Sequence, residues 1–144
     1  MNEALVDRWN SVVGVKDQVW VLGDVLFGQG NFYYLNRLQG QKYLVLGNHD
    51  HYDKSLYLAH FRKVEGVASF DKCILSHVPV HPNQLEYRFK ANLHGHLHSK
   101  TVLLPNGKED QRYINVAVEQ NNLTPFAWED LQKRINYEWV YSVP

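Results

Sequence analysis

The stretch that most constrains the fold is "YLVLGNHDH", residues 43–51. Four largely apolar residues, typical of a buried strand, run directly into a glycine, an amide, an imidazole and a carboxylate. "QVWVLGD", residues 18–24, follows the same order of apolar strand, glycine and polar end. Residues 30–40, between the two, are predicted to form an amphipathic helix. This alternation of strand and helix favours sheet layers covered by helices, with polar groups at the strand ends.

Further helices are predicted at residues 1–13, 54–61 and 128–134. From Val64 onwards the pattern changes to short strands bounded by turn residues: "GVASF", "CILSH", "ANLHGHLH", and "TVLLPNG" leading by a turn to "QRYINVAV". We therefore predict a second half that is mostly antiparallel β with a terminal helix. The fold class expected is α/β (α+β), in a single domain over residues 1–144.

Composition excludes several functional classes. The formal net charge is zero, so there is no global field to attract nucleic acid or an anionic membrane. The lone cysteine, Cys73, excludes an internal disulfide and a multi-cysteine zinc site. The opening residues do not resemble a signal peptide, and no apolar run approaches the roughly 20 residues that span a bilayer. A cytoplasmic location is expected.

The chain has eight histidines, and several lie at predicted strand ends. His77 ends the apolar run "CILSH". In "HGHLH", residues 94–98, a strand would direct His96 and His98 to the same face, where they would share one metal or bind two neighbouring metals. Taken singly, each motif is also consistent with a structural or surface histidine.

The combination of strand ends indicates a metal site. The predicted ends finish, in chain order, in Asp24, Asn48, His77, and His96 with His98. Glycines at positions 23, 47 and 95 each precede a candidate ligand, where the backbone must bend sharply or be approached closely. Carboxylate, amide and imidazole ligands without a thiolate suit Mn²⁺, Fe, Co²⁺ or Zn²⁺.

In this order the motifs resemble those of the calcineurin-like metallophosphoesterase family. The matching motifs are "GD" at 23–24, "GNHD" at 47–50, "SHVP" at 76–79 and "GHLH" at 95–98. Residues 114–131 resemble the ending of short bacterial and phage members. The resemblance implies an α/β/β/α sandwich that hydrolyses phosphomonoesters or phosphodiesters with a metal-activated hydroxide.

The resemblance also implies a role for each matching residue. Asp24 would bridge two metals, and His98 would belong to the first. The second metal would be completed by Asn48, His77 and His96. His49 would face the scissile phosphate as the catalytic residue, donating a proton to the leaving oxygen or stabilising charge. Asp50 would fix the loop, and Mn²⁺ is the expected metal, with Fe, Co, Ni and Zn as alternatives.

Two features depart from the family pattern. The family's first motif, Asp-x-His on an N-terminal strand, has no counterpart here, so the domain is expected to be N-terminally truncated and to lack its first β-strand. The first metal would then keep only His98 and a share of Asp24, leaving one strong site, and the unpaired sheet edge would favour self-association. Phe27 stands where many members have an aspartate that partners the active-site histidine, so His49 would be oriented differently.

Three interpretations of the shortened pattern stay open. The chain would be a shortened or incomplete enzyme, a natural variant with one metal or a site completed by another chain, or a degenerate fold that acts as a binding module. The expected partner is a phosphate-ester substrate, and no substrate-binding residue is selected. Arg88, Lys90 and Lys100 lie around the histidine pair in sequence and could favour an anionic substrate, although ordinary surface charge on strand ends explains each of them better.

Overall fold

The structure, a computed structural model, describes residues 2–25 and 29–138. Its α-helices are α1 (Asn2–Val12), α2 (Lys54–Leu58) and α3 (Trp128–Gln132). Its strands are β1 (Gln18–Val21), β2 (Gln41–Val45), β3 (Lys63–Glu65), β4 (Ala68–Phe70), β5 (Cys73–Ser76), β6 (Ala91–His94) and β7 (Tyr113–Asn115). Short 3-10 helices span Gln29–Arg37, Pro82–Leu85 and Val118–Asn121. The helix predicted at 30–40 is therefore a 3-10 helix, and Phe27 lies outside the described residues.

The first sheet has the order β1-β2-β3 and is parallel throughout. Side chains alternate between its two faces, as the pleat requires. On one face, Leu44 packs with Phe32 and Tyr57, which come from the 3-10 helix and from α2. On the other face, Val45 packs against strands of the second sheet. The expected layers of sheet and helix are confirmed for this half of the chain.

The second sheet has the order β4-β5-β6-β7. Among the described strands, β4 pairs antiparallel with β5, whereas β5 with β6 and β6 with β7 are parallel. The prediction of a mostly antiparallel second half is therefore wrong. Parallel pairing requires the chain to return to the end of the sheet at which the preceding strand began. The connections at residues 77–90 and 95–112 are long enough to do this. The fold is thus a mixed α/β fold with one parallel and one mixed sheet.

The main hydrophobic core lies between the two sheets. Its fully buried members include Val45 from the first sheet and Cys73 from the second, and Leu131 of α3 joins the same cluster. Because Val45 is on β2 and Cys73 on β5, this core fixes the position of one sheet relative to the other. Among the helices of residues 2–25 and 29–138, none has the length and apolarity needed to cross a membrane.

The buried thiol of Cys73 provides a test of this core. Burial, reinforced by the charge of Asp71, raises the pKa of Cys73 from 9.0 to about 12. At pH 8 the thiol is therefore protonated in the folded chain, and its thiolate fraction is about 10³-fold below that of the unfolded chain. We expect a disulfide reagent at pH 8 to label the native chain at least that much more slowly than the chain in denaturant. Equal labelling rates would contradict the described core.

Candidate metal centre

Polar side chains from three other strand ends converge on the imidazole of His77. This residue follows β5 directly and is 5% exposed. Its Nε2 atom lies 2.9 Å from Asn48 Oδ1, 3.1 Å from Asp24 Oδ2 and 3.2 Å from His96 Nδ1. Asp24 and Asn48 follow strands of the first sheet, and His96 follows β6. The structure therefore brings together four of the five metal ligands predicted from the sequence.

The separations within this cluster match those between ligands of one cation. Ligand atoms bound about 2.1 Å from an ion, at octahedral to tetrahedral angles, lie roughly 3.0–3.4 Å apart. The three distances from His77 Nε2 lie close to this range. The ligand atoms of Asp24, His77 and His96 all lie within 4.8 Å of one another. The geometry could therefore accommodate one divalent cation.

The tautomer of His77 also favours a cation at this cluster. Its Nδ1 lies 2.7 Å from the carbonyl oxygen of Leu22. A carbonyl oxygen only accepts hydrogen bonds, so Nδ1 carries the proton, and in the neutral ring Nε2 presents its lone pair to the cluster. Oxygen lone pairs of Asp24 and Asn48 face the same point. A cation could bind to all three of these atoms, and a ring N–H bonded to a backbone carbonyl is the usual support of a ligating histidine.

The carboxylate of Asp50 holds two of the strand ends together. Its Oδ2 accepts hydrogen bonds from the backbone N–H groups of Asp24 at 2.7 Å and Gly47 at 2.8 Å. Its Oδ1 accepts a third from the N–H of Val25 at 2.9 Å. The prediction that Asp50 fixes its loop is confirmed, and the loop after β1 is fixed by the same side chain.

Two glycines allow the strand ends to approach this closely. A Cβ atom on Gly47 would lie 2.3 Å from Asp24 Oδ1 and 2.5 Å from the Asp24 backbone nitrogen. A Cβ atom on Gly23 would lie 2.5 Å from His77 Nδ1, and Gly23 has a positive φ of 93°. Both glycines therefore leave the space that the candidate ligands occupy.

The backbone is strained at three of the candidate ligands. Asp24, His96 and His98 have φ angles of 52°, 65° and 53°, in the left-handed region that non-glycine residues rarely adopt. Such conformations cost on the order of 1–3 kcal/mol each and persist where surrounding contacts enforce them. Among the described residues, Asp71, Lys72, Asn122 and Leu123 also have positive φ, so three of the seven non-glycine residues in this region are candidate ligands.

His98 lies outside the cluster that His77 organises. Strand β6 ends at His94, and His96 and His98 belong to the turn that follows, so the alternation along a strand predicted for them is wrong. The His98 side chain is 79% exposed, and its Nδ1 lies 3.3 Å from Glu119 Oε1. Its assignment as a metal ligand remains a prediction.

His49 is exposed, and its backbone N–H donates to Asp24 Oδ1 at 2.9 Å. Its carbonyl lies 2.8 Å from His51 Nδ1. These contacts fix the start of the His49 side chain next to the carboxylate of Asp24. The catalytic role of His49 remains a prediction.

Other residues near the histidines in sequence have structural roles. Lys90 is 2% exposed and donates from Nζ to the carbonyl oxygen of Tyr137, so it is neither surface charge nor a group open to an anionic substrate. Arg88 lies over the ring of Phe89. His94 is 1% exposed, and burial lowers its pKa. A surface groove of about 650 Å³ lies elsewhere, around β3, β4 and residues 80–89.

One functional group was missed by sequence reasoning. The carbonyl of Leu22 selects the tautomer of His77, and a backbone carbonyl has no side-chain signature. The only feature of the sequence that pointed to this carbonyl was the position of Leu22, directly before "GD" at the predicted strand end.

The fold and this cluster define a mixed α/β protein with a candidate metal centre at its strand ends. No protein-family model matches the chain. The uncharacterized protein MJ1445 of Methanocaldococcus jannaschii is 30% identical over 140 residues, covering 94% of this chain and 75% of that protein. The chain belongs to the same family as MJ1445.

Phage proteins and one solved structure are also similar. The gene 66 protein of Mycobacterium phage D29 is 29% identical over an alignment covering 88% of this chain and 76% of that protein. The gene 66 protein of Mycobacterium phage L5 is 45% identical over 51 residues, 32% of this chain and 25% of that protein. The crystal structure of AQ665 from Aquifex aeolicus, a protein of unknown function, has a TM-score of 0.67 and 24% identity, covering 92% of this chain and 83% of that one. This likeness supports the α/β fold.

Gly47→Ala should weaken metal binding. The added methyl group would overlap both the carboxylate and the backbone nitrogen of Asp24, so the ligand must move. We expect Mn²⁺ affinity, measured by equilibrium dialysis, to fall about 10–100-fold, as when a metal ligand loses its support.

The matched control is Gly66→Ala. A Cβ atom at Gly66 has no neighbour within 4 Å, so affinity should be unchanged. Equal affinity in both variants would show that Asp24 does not need its described position to bind metal.

Proposed function

We propose that this chain is a metal-dependent phosphoric ester hydrolase of the calcineurin-like metallophosphoesterase type. The observation that carries the proposal is the convergence of Asp24, Asn48, His77 and His96 within ligand distance at the ends of strands from two sheets. Two packed sheets with helical segments on the outer face of the first sheet support the sandwich expected for this family. The substrate class is a phosphomonoester or a phosphodiester.

The donor set fits a divalent cation of the Mn²⁺, Fe, Co²⁺ or Zn²⁺ class. One carboxylate, one amide oxygen and two imidazoles offer four protein ligands without a thiolate. Bound there, the cation would neutralise charge on a phosphate ester and lower the pKa of a water molecule. The exposure of Asn48 and His96 leaves one side of the cluster open to substrate.

His49 is the residue that we assign to the substrate. Its backbone is tied to Asp24, so its side chain begins at the open side of the cluster. An imidazole there would donate a proton to the leaving oxygen or stabilise charge on the transferring phosphoryl group. Asp50 keeps the His49 loop in register with the loop that carries Asp24.

His49→Ala should separate chemistry from metal binding. We expect Mn²⁺-dependent hydrolysis of bis(4-nitrophenyl) phosphate by the native chain, and about a 10²–10⁴-fold lower kcat in the variant, the usual contribution of a general acid. Metal content, measured by mass spectrometry of dialysed protein, should be unchanged.

His51→Ala is the matched control, because His51 is exposed in the same loop. Its side chain contacts the carbonyl of His49 and the ring of Tyr52. Its turnover should stay close to that of the native chain. Full activity in His49→Ala would remove His49 from the mechanism. A folded, metal-loaded native chain without turnover would instead favour the binding-module alternative.

Asp24→Asn and His77→Ala should each release the cation. Asp24→Asn removes a negative charge from the cluster, and His77→Ala removes the nitrogen lone pair at its centre. We expect Mn²⁺ affinity to fall at least about 10-fold, measured by equilibrium dialysis. Asp7→Asn, an exposed position on α1, should leave affinity unaltered. Retained affinity in either cluster variant would remove that residue from the ligand set.

Self-association through the first sheet remains a proposal. Within the described residues, β2 is the strand paired with β1, so β1 forms an edge. Unpaired strand edges can add a strand from another chain. Light scattering on the purified protein would measure the oligomeric state.

A further inference from the structure

The loop that follows His77 is held by a buried asparagine. The side chain of Asn92, on β6, is 0% exposed. Its Oδ1 accepts a hydrogen bond from the backbone N–H of Val80 at 2.9 Å. Its Nδ2 donates to Ser76 Oγ at 2.9 Å and to the carbonyl oxygen of Ile74 at 3.1 Å. One amide group therefore joins β5, β6 and this loop.

Two further side chains hold the same loop. Ser76 Oγ donates to the carbonyl oxygen of Val78 at 2.7 Å, and the Tyr113 hydroxyl donates to that of Val80 at 2.6 Å. With Asn92, these side chains come from three neighbouring strands, β5, β6 and β7. Val80 and Tyr113 pack in an apolar cluster that is separate from the main core. The loop therefore folds back over the face of the second sheet that lies opposite the main core.

His77 lies at the point where the chain leaves the sheet. Its ring is bonded on one side to the carbonyl of Leu22, which directly follows β1. The residues after it are bonded on the opposite face of the second sheet. Pro79 has no N–H group and confines Val78 to extended conformations, so the loop cannot continue β5 as a central strand. His77 is thus fixed by contacts on both faces of the sheet.

The stability of the sheet alone does not favour an asparagine at this position. Asparagine is depleted in strands, and the net contribution of a typical hydrogen bond to stability is small. Val78 is 49% exposed, so water has access to the loop and could satisfy its backbone groups. An amide that replaces water there gives the loop one fixed position. Partners that fix the orientation of a ligating histidine are a regular requirement of metal sites.

We propose that Asn92 is a positioning residue of the metal centre, which holds the loop after His77 and so keeps His77 Nε2 at the point where the other candidate ligands meet. Because Asn92 is fully buried, it acts through His77 and touches neither the cation nor the substrate. The inference rests on the proposed function, since it concerns the same metal centre.

The first test is the Mn²⁺ affinity of the full chain, measured by equilibrium dialysis. Asn92→Leu removes the amide and keeps a side chain of similar size. We expect its affinity to fall about 10–100-fold, the usual effect of removing the support of a metal ligand. Ser76→Ala removes one oxygen atom of the same network, and its affinity should fall about 2–10-fold, which corresponds to one hydrogen bond.

The matched control is Tyr137→Phe. It also removes one hydroxyl group, but that hydroxyl is bonded to Asp71, before the opposite end of β5 from His77. Its Mn²⁺ affinity should equal that of the native chain. An affinity that falls equally in Tyr137→Phe and Ser76→Ala would overturn the proposal.

A second measurement needs no metal. Nitrogen NMR of the His77 ring in the metal-free chain at pH 8 should show one tautomer, with the proton on Nδ1. In Asn92→Leu and in Ser76→Ala these shifts should move towards the average of the two tautomers, because His77 no longer keeps its contact with Leu22. A purely structural role for Asn92 would lower the free energy of unfolding without changing these shifts.

Ser76→Ala decides the question if Asn92→Leu does not fold. Native Mn²⁺ affinity and native His77 shifts in Ser76→Ala would overturn the proposal. Failure of the proposed function would give a different result. The native chain would then show no turnover, or no Mn²⁺ binding that depends on His77, while the His77 shifts would still respond to Ser76→Ala.

Discussion

The carboxylate of Asp50 is the contact on which the site geometry depends. Backbone N–H groups from the loop after β1 and from the loop after β2 both donate to it. The three hydrogen bonds that this carboxylate accepts from backbone N–H groups are strong, because each of them is charge-assisted. It allows Asp24 to keep a strained backbone directly over Gly47, and it places the amide of His49 against the carboxylate of Asp24.

The second sheet completes the centre through His77. This side chain is buried and bonded by one ring nitrogen to the carbonyl of Leu22, which directly follows β1, so the other nitrogen has little freedom to move. The core between the sheets, with Val45 on one side and Cys73 on the other, sets how closely the strand ends approach. Packing and ligand geometry are therefore coupled: the distances around His77 Nε2 depend on how the two sheets dock.

The sequence predicted Asp24, Asn48, His77 and His96 as parts of one site because each ends a predicted strand and their order resembles a known set of motifs. It could not predict that β5, β6 and β7 are parallel, since short strands with turn residues look alike in either direction. It also misplaced His98 and Lys90. The end of β6 at His94 depends on the left-handed backbone of His96, and the burial of Lys90 depends on the distant Tyr137.

The division of the chain between the sheets has a consequence for how the centre forms. Residues 18–65 contain every strand of the first sheet, and residues 68–115 every strand of the second, with exposed Gly66 and Val67 between them. Asp24 and Asn48 thus belong to one contiguous half and His77 and His96 to the other. During synthesis neither half holds all four candidate ligands. If this cluster binds a cation, its affinity would arise only when the halves dock. A bound ion would then stabilise the docked arrangement of the two sheets, and its binding would show that docking has occurred.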